Sequence, residues 1–416
     1  MKYFSTYKKL IQNTYNNIKN NIRHTPLEYN ERLSNLYKCN IFLKREDLQV
    51  TRSFKIRGSL NKIKNIQKQN SNANIVCASA GNHAQGVAYS CNLLNLKANI
   101  FVPNTTPLQK INRIKFFGKE NIDITIKGNN FSECLNNSKE YCENIDGEFI
   151  HPYDDIDVIH GQATIGKEIN EEIYPNKILC CVGGGGLISG ISQYFSFKDK
   201  NVEIYGVEPE GAASMKEALI NNKIVKLSNI DTFVDGASVS EIGKLNFEIS
   251  NKFVNDVYSV CNEKLCYELI KLYEEDGIIC DPAGALAVCG LDKIKNKIKT
   301  DDNIVCIVSG GNNDVTRYQE IIEYNLNYLN LKHYFIIKFV QKPKQLKNFI
   351  LNVLGPSDDI IRFEYIKKSN KNFGNVLIGI ELTDSKNINN ILHNLDKYNF
   401  NYQKINKDDL IYNYIV

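Results

Sequence analysis

The sequence has no tryptophan, no CxxC pair, no apolar run near the roughly 20 residues of a membrane span, and no large charge of either sign. With 51 Lys and Arg against 47 Asp and Glu, the formal charge is +4 over 416 residues. That is too little to imply nucleic acid or an anionic membrane as partner. The missing apolar run excludes a helical membrane span and the core of a signal peptide. No Cys/His cluster has ligand spacing, so zinc is unsupported and no metal is expected. The 12 cysteines are scattered through apolar runs, as at Cys77, Cys91, Cys180, Cys181 and Cys306. They read as small buried hydrophobes of a reducing compartment, and a cytoplasmic location is expected. The absence of tryptophan, beside plentiful Asn, Ile, Lys and Tyr, is compositional drift and carries no function.

What remains is an ordinary soluble composition, 43% apolar and 24% charged, with length for two or three domains. The first 27 residues hold no acid, one mark of an organellar transit peptide. Arg and Ser are scarce there, however, and Tyr7, Leu10, Ile11, Tyr15 and Ile18 fall on one helical stripe. An N-terminal helix ending near Asn21 is the expectation.

From residue 40 to about 320, β-rich runs alternate with helical patterns: Ile41–Leu43, Asn74–Ala80, Ala98–Val102, Ile122–Ile126, Lys177–Val182, Val202–Val207 and Asn303–Val308. Near-continuous hydrophobicity suits strands covered on both faces. The alternation predicts an open parallel α/β sheet with its ligands beyond the strands' carboxyl ends. A different pattern begins near residue 331: strand Tyr334–Val340, helix Lys344–Leu354, strand Ile360–Ile366, strand Asn375–Leu382, helix Ser385–Lys397 and strand Tyr402–Ile405. This βαββαβ order is a ferredoxin-like α+β unit. The domains expected are residues 1–320, a connector at 321–330, and 331–416.

Four stretches carry chemistry. Lys55, in Ser53-Phe-Lys-Ile-Arg-Gly58, lies at the start of a helical pattern (Ile56, Leu60, Ile63) with Ser53 as its expected N-cap. A helix start is poor for a cation's stability but lowers an amine's pKa, which favours a nucleophile. Gly183, Gly184, Gly185 and Gly186, then Leu187, join a strand to a helix. Backbone amides without β-carbons there form a phosphate cup. The loop lacks Walker or dinucleotide spacing, which disfavours ATP and NAD. Ser79-Ala80-Gly81-Asn82-His83-Ala-Gln-Gly86 also joins a strand to a helix, and its hydroxyl, amide and backbone N–H groups suit a carboxylate and a ring oxygen. Ser309-Gly-Gly-Asn312 ends the strand at Val308, where a neutral hydroxyl can meet a ring nitrogen. Apart from the glycines, each stretch alone is an ordinary lysine, turn or strand end; together the four specify a pyridoxal phosphate enzyme.

These four motifs, in this order, resemble those of the threonine dehydratases (threonine ammonia-lyases), of the tryptophan-synthase-β-like fold. The resemblance spans about residues 20 to 320, and the tail from 331 resembles their ACT-like regulatory domain. It implies a fold-type-II catalytic region of two parallel α/β subdomains. It also implies that Lys55 carries pyridoxal 5'-phosphate, with Phe54 packing beside the ring and Asn82 on its hydroxyl. Gly183–Leu187 would take the phosphate and Ser309 the pyridine nitrogen. Ser79, Ala80, Asn82 and His83 would contact the substrate carboxylate. The implied reaction is β-elimination on L-threonine, or L-serine, with isoleucine as effector and a homo-oligomer, dimer or tetramer, as the assembly. Two departures stand out: Asp281 lies where the family has Glu before Pro, and near Glu208 the chain has Ser214 where cation-binding relatives have Asp. A catabolic serine/threonine dehydratase, a serine racemase or a β-replacement synthase would share the four motifs, and the tail disfavours them. Intact Lys55 and glycines speak against an inactive amino-acid sensor.

Overall fold

The computed structural model describes residues 2–198, 201–365, 372–406 and 409–415. The chain divides into two compact units, Met1–Val315 and Thr316–Val416.

The first unit contains ten strands: β1 (Leu27–Tyr29), β2 (Asn40–Arg45), β3 (Ile75–Ala78), β4 (Ala98–Val102), β5 (Ile122–Ile126), β6 (Glu148–Phe149), β7 (Lys177–Cys181), β8 (Glu203–Pro209), β9 (Asp256–Val260) and β10 (Asn303–Val308). They form two sheets, not the single sheet that the alternation alone predicts. The larger has the order β1-β2-β10-β7-β8-β9 and the smaller β5-β4-β3-β6. All pairings are parallel except β1 with β2. The chain leaves the larger sheet after β2, builds the smaller one and returns at β7, which matches the two subdomains that the resemblance implies. Strands β1, β6 and β9 escape the sequence pattern because they are short and largely exposed or half-buried, without an apolar run to mark them.

Strand β3 shows why both faces must be apolar. Ile75 and Cys77 point into a core with Ile63, Val87 and Ile100, while Val76 and Ala78 point the other way, onto Phe101, Cys134 and Cys142. All 12 cysteines are free, and all but Cys261 are buried. The N-terminal helix, Lys2–Ile18, buries Tyr7, Ile11 and Ile18, whereas Leu10 is exposed. Ile18 packs on Ile56 and Leu60 of the helix that begins at Lys55.

The second unit opens with helix Tyr318–Tyr328. It continues as β11 (Lys332–Val340), helix Gln345–Val353, β12 (Asp359–Tyr365), β13 (Phe373–Glu381), helix Asn387–Lys397 and β14 (Asn401–Ile405). The sheet order β12-β13-β11-β14, antiparallel throughout, is the expected βαββαβ unit. Alternate residues Phe335, Ile337 and Phe339 of β11 and Val376, Ile378 and Ile380 of β13 meet Phe349, Ile391 and Leu395 of the helices. The predicted end of this unit's second strand, Ile366, lies outside the described residues. Among the described residues, no helix is long and apolar enough to cross a membrane.

Candidate active site

Lys55 is the first residue of helix Lys55–Gln69, whose N-cap position is Phe54, without a side-chain cap. Ser53 is therefore not the cap. Its backbone pairs with Gly310 in an isolated bridge, and its buried hydroxyl has no hydrogen-bond partner. Lys55 Nζ donates to Pro152 O at 2.9 Å. Burial lowers its pKa to about 8, so the depression comes from desolvation of the charged form. The Phe54 ring lies 5.3 Å from Nζ, and its N–H donates to Ser309 O at 3.1 Å.

The four glycines run from β7 into helix Gly186–Lys198. A β-carbon on Gly184 would come within 2.3 Å of the Tyr153 ring, and one on Gly183 within 3.0 Å of the Ala237 backbone. Gly185 has φ +96, a conformation that suits only glycine. Leu187 is buried in the first turn of the helix. Tyr153 follows the residue whose carbonyl holds Lys55, so one loop, residues 151–155, supports both the lysine and the glycines. That loop is itself fixed. Asn246 Nδ2 donates to Tyr153 O (3.1 Å), and the Asp154 carboxylate accepts from the N–H groups of Lys244 and Leu245 (3.1 and 2.9 Å). His151 Nδ1 accepts from the N–H of Tyr153 and of Asp154, and burial pushes its pKa down to about 4. Sequence reasoning missed this loop; its signal was His-Pro-Tyr-Asp-Asp, dense in turn formers ahead of helix Ile156–Glu172.

Asn82 begins helix Asn82–Leu94, whose N-cap, Gly81, offers no side-chain cap, leaving first-turn amides for an anion. Ser79, Ala80 and Asn82 are half-buried around that turn, and Ser79 Oγ accepts from Gly81 N–H at 3.2 Å. His83 is buried, with Nε2 2.9 Å from Ile150 O, and burial, aided by the charge of Lys55, lowers its pKa to about 3. Its ring is thus engaged with the backbone, and a contact from His83 to a carboxylate would use its N–H. Ser309, 3% exposed at the end of β10, hydrogen-bonds the Cys181 thiol, whose pKa burial pushes up to about 11. Asn312 Nδ2 donates to Asn82 Oδ1 (2.7 Å) and to Thr51 O (2.9 Å). Gly311 N–H donates to Arg52 O at 2.9 Å. All four sequence motifs thus meet around Lys55.

Glu208 is buried and accepts from the N–H groups of Met215 and Lys216 (2.8 and 2.9 Å), and burial raises its pKa to about 8. Among the described residues, no group of His, Cys, Asp and Glu is arranged to hold a metal ion.

The family described as "Pyridoxal-phosphate dependent enzyme" matches residues 18–310, and "C-terminal regulatory domain of Threonine dehydratase" matches residues 323–415. The chain is 47% identical, over 401 residues and 96% of each chain, to a biosynthetic L-threonine dehydratase of Halalkalibacterium halodurans. This chain belongs to the threonine dehydratase family of pyridoxal-phosphate dependent enzymes. A second relative in that family, the biosynthetic L-threonine dehydratase of Bacillus subtilis, is 44% identical over 98% of this chain and 97% of its own. Among solved structures, threonine deaminase isoform 2 of Solanum lycopersicum superposes with a TM-score of 0.73 at 36% identity, covering 78% of this chain and 94% of that one. The cofactor of the threonine dehydratase family, pyridoxal phosphate, is the cofactor of this chain. The residues present fit it: glycines leading into a helix N-terminus, and buried polar atoms without partners at Thr51 Oγ1, Ser53 Oγ and His83 Nδ1.

Proposed function

We propose that the first unit converts L-threonine to 2-oxobutanoate and ammonia, L-serine being the shorter alternative, and that the tail binds isoleucine and lowers that activity. The observation that carries the reading is Lys55: an amine with a pKa of about 8, bonded to the carbonyl of Pro152, the neighbour of Tyr153, whose ring abuts Gly184. Bound pyridoxal phosphate supplies a carbonyl carbon for an amine and a ring that takes up the charge left by a departing α-proton. Gly183, Gly184, Gly185, Gly186 and Leu187 hold its phosphate through backbone N–H groups, while Phe54 packs beside the ring. Asn82 donates to the ring hydroxyl, and Ser309 gives the pyridine nitrogen a neutral partner rather than a carboxylate. First-turn N–H groups at Asn82 and His83, with Ser79 and Ala80, orient the substrate carboxylate. Lys55 removes the α-proton and keeps it on Nζ, where Pro152 O steadies the ammonium. The β-hydroxyl departs with a proton as one water and hydrolysis then takes one water up, so threonine leaves as oxoacid and ammonia in equal amounts with no net water.

In this reading residues 1–320 catalyse, 321–330 connect and 331–416 regulate, within a cytoplasmic homo-oligomer, a dimer or tetramer. Regulation rests on a coupling free energy between effector and substrate sites. Lys55→Ala should lower 2-oxobutanoate formation by at least about 10³-fold and abolish the cofactor's visible absorbance. A variant that kept both would end the catalytic reading. Isoleucine added to the intact enzyme should lower its turnover of threonine; turnover indifferent to isoleucine would end the regulatory one.

A further inference from the structure

Asp281 begins helix Pro282–Cys289 and is 5% exposed. Its Oδ1 accepts from Gly284 N–H at 2.8 Å, and its Oδ2 accepts from Asn82 Nδ2 at 3.1 Å. Gly310 makes this approach possible, since a β-carbon there would stand 2.7 Å from Asp281 Oδ2 and 3.2 Å from Asn82 Nδ2. At the other end of the same amide, Asn82 Oδ1 accepts from Asn312 Nδ2 at 2.7 Å, and Asn312 Nδ2 also donates to Thr51 O at 2.9 Å.

The polarity of this chain of bonds is determined. A backbone carbonyl only accepts, so Asn312 turns its nitrogen toward Thr51 and thereby an N–H toward Asn82, which has to answer with oxygen. Burial raises the Asp281 pKa, while N–H donors from Asn82, Gly284 and Asn312 oppose that shift and favour the carboxylate. The carboxylate only accepts, so Asp281 holds the nitrogen end of Asn82. Turning the Asn82 amide over would place donor against donor at Asn312 and acceptor against acceptor at Asp281. One Asn82 N–H is left uncommitted among the described residues.

We propose that Asp281 is a positioning residue, which fixes the free N–H of Asn82 as a donor to the ring hydroxyl oxygen of pyridoxal phosphate and so stabilises that oxygen in its ionised form. The proposal rests on the contact assigned above to Asn82, and it explains why an acid without a catalytic task is buried beside the site.

Asp281→Asn tests it. The new amide has a single oxygen, which the Gly284 N–H claims, so its nitrogen faces the nitrogen of Asn82 and the Asn82 donor is displaced. In the holoenzyme's visible spectrum at fixed pH, the band of the ionised ring oxygen should fall about tenfold relative to that of the neutral hydroxyl, the effect of losing one hydrogen bond to a charged group. Pyridoxal phosphate should dissociate correspondingly more readily on dialysis. Asp281→Glu, which keeps the carboxylate, should recover the first band. A merely structural role predicts a lower melting temperature with an unchanged ratio of the two bands, and that result would overturn the proposal. Should Asp281→Asn not fold, Asn312→Ala frees the other end of the amide and should move the ratio the same way; an unmoved ratio there would overturn it equally. Failure of the underlying cofactor assignment shows itself separately, as a Lys55→Ala protein that retains visible absorbance.

Discussion

Lys55 and Arg57 stand two positions apart at the start of one helix, yet the protein treats their charges in opposite ways. Arg57 is fully buried between two carboxylates: Glu46 at 2.7 Å and Glu168 at 2.6 Å. Lys44 closes the cluster on Glu168 at 2.9 Å, and Thr25 donates to Glu46 at 2.6 Å. Burial pushes the guanidinium pKa down, but the two carboxylates more than offset it and hold the charge firmly. Lys55 has no carboxylate partner among the described residues, only the carbonyl of Pro152, and burial prevails. Buried cations are therefore not one class. With counter-charges a cation is a tie, here joining β2, the Lys55 helix and helix Ile156–Glu172; without them it becomes a nucleophile.

The strongest way to break this contrast is to remove the tie. Arg57→Ala leaves Glu46 and Glu168 buried with Lys44 alone, and should cost about 3–5 kcal/mol in denaturant unfolding. Lys55→Ala removes only an uncompensated amine and its one hydrogen bond, so its stability should change by no more than about 1 kcal/mol. Equal losses for the two would mean that both residues serve packing alone. A smaller effect is expected from Gly184→Ala. The new methyl meets the Tyr153 ring at 2.3 Å, so the 151–155 loop must shift and carry Pro152 O away from Lys55. About 1–3 kcal/mol of stability should be lost to overpacking, together with weaker retention of pyridoxal phosphate on dialysis. Full retention would separate the lysine's seat from the glycine cradle.

The sequence marks one half of this contrast and hides the other. Lys55 is marked because the motifs around it are local, each a turn between a strand and a helix. Strands β4 and β10 are legible to the residue for the same reason, as apolar runs flanked by polar and turn-forming residues, and β5 as an alternating Ile-Asp-Ile-Thr-Ile. Nothing local marks Arg57 as buried, because its partners lie 11 and 111 positions away. Ser53 has the composition of an N-cap, but a bridge to Gly310, distant in sequence, claims its backbone. The alternation of strands and helices fixes neither the number of sheets nor the strand after which the chain changes from one to the other. His83 shows the same limit at a single residue: its place in the motif is local, but the direction of its ring is decided by Ile150.

The finest test of the contrast is a titration of Lys55 itself. An amine must be neutral to attack the aldehyde of pyridoxal phosphate, and burial lowers its pKa from 10.5 to about 8. Above about pH 8 the neutral form predominates, and below it each pH unit reduces that form about tenfold. The rate at which apoenzyme gains visible absorbance on mixing with the cofactor should therefore climb about tenfold per unit up to pH 8 and then level off. A rate still climbing toward pH 10 would mean that Lys55 is as well solvated as a surface lysine. Arg57 remains charged across this whole range and contributes nothing to the plateau, whose position the 151–155 loop decides through Lys55. In Gly184→Ala, where that loop admits water to the amine, the plateau should begin at higher pH.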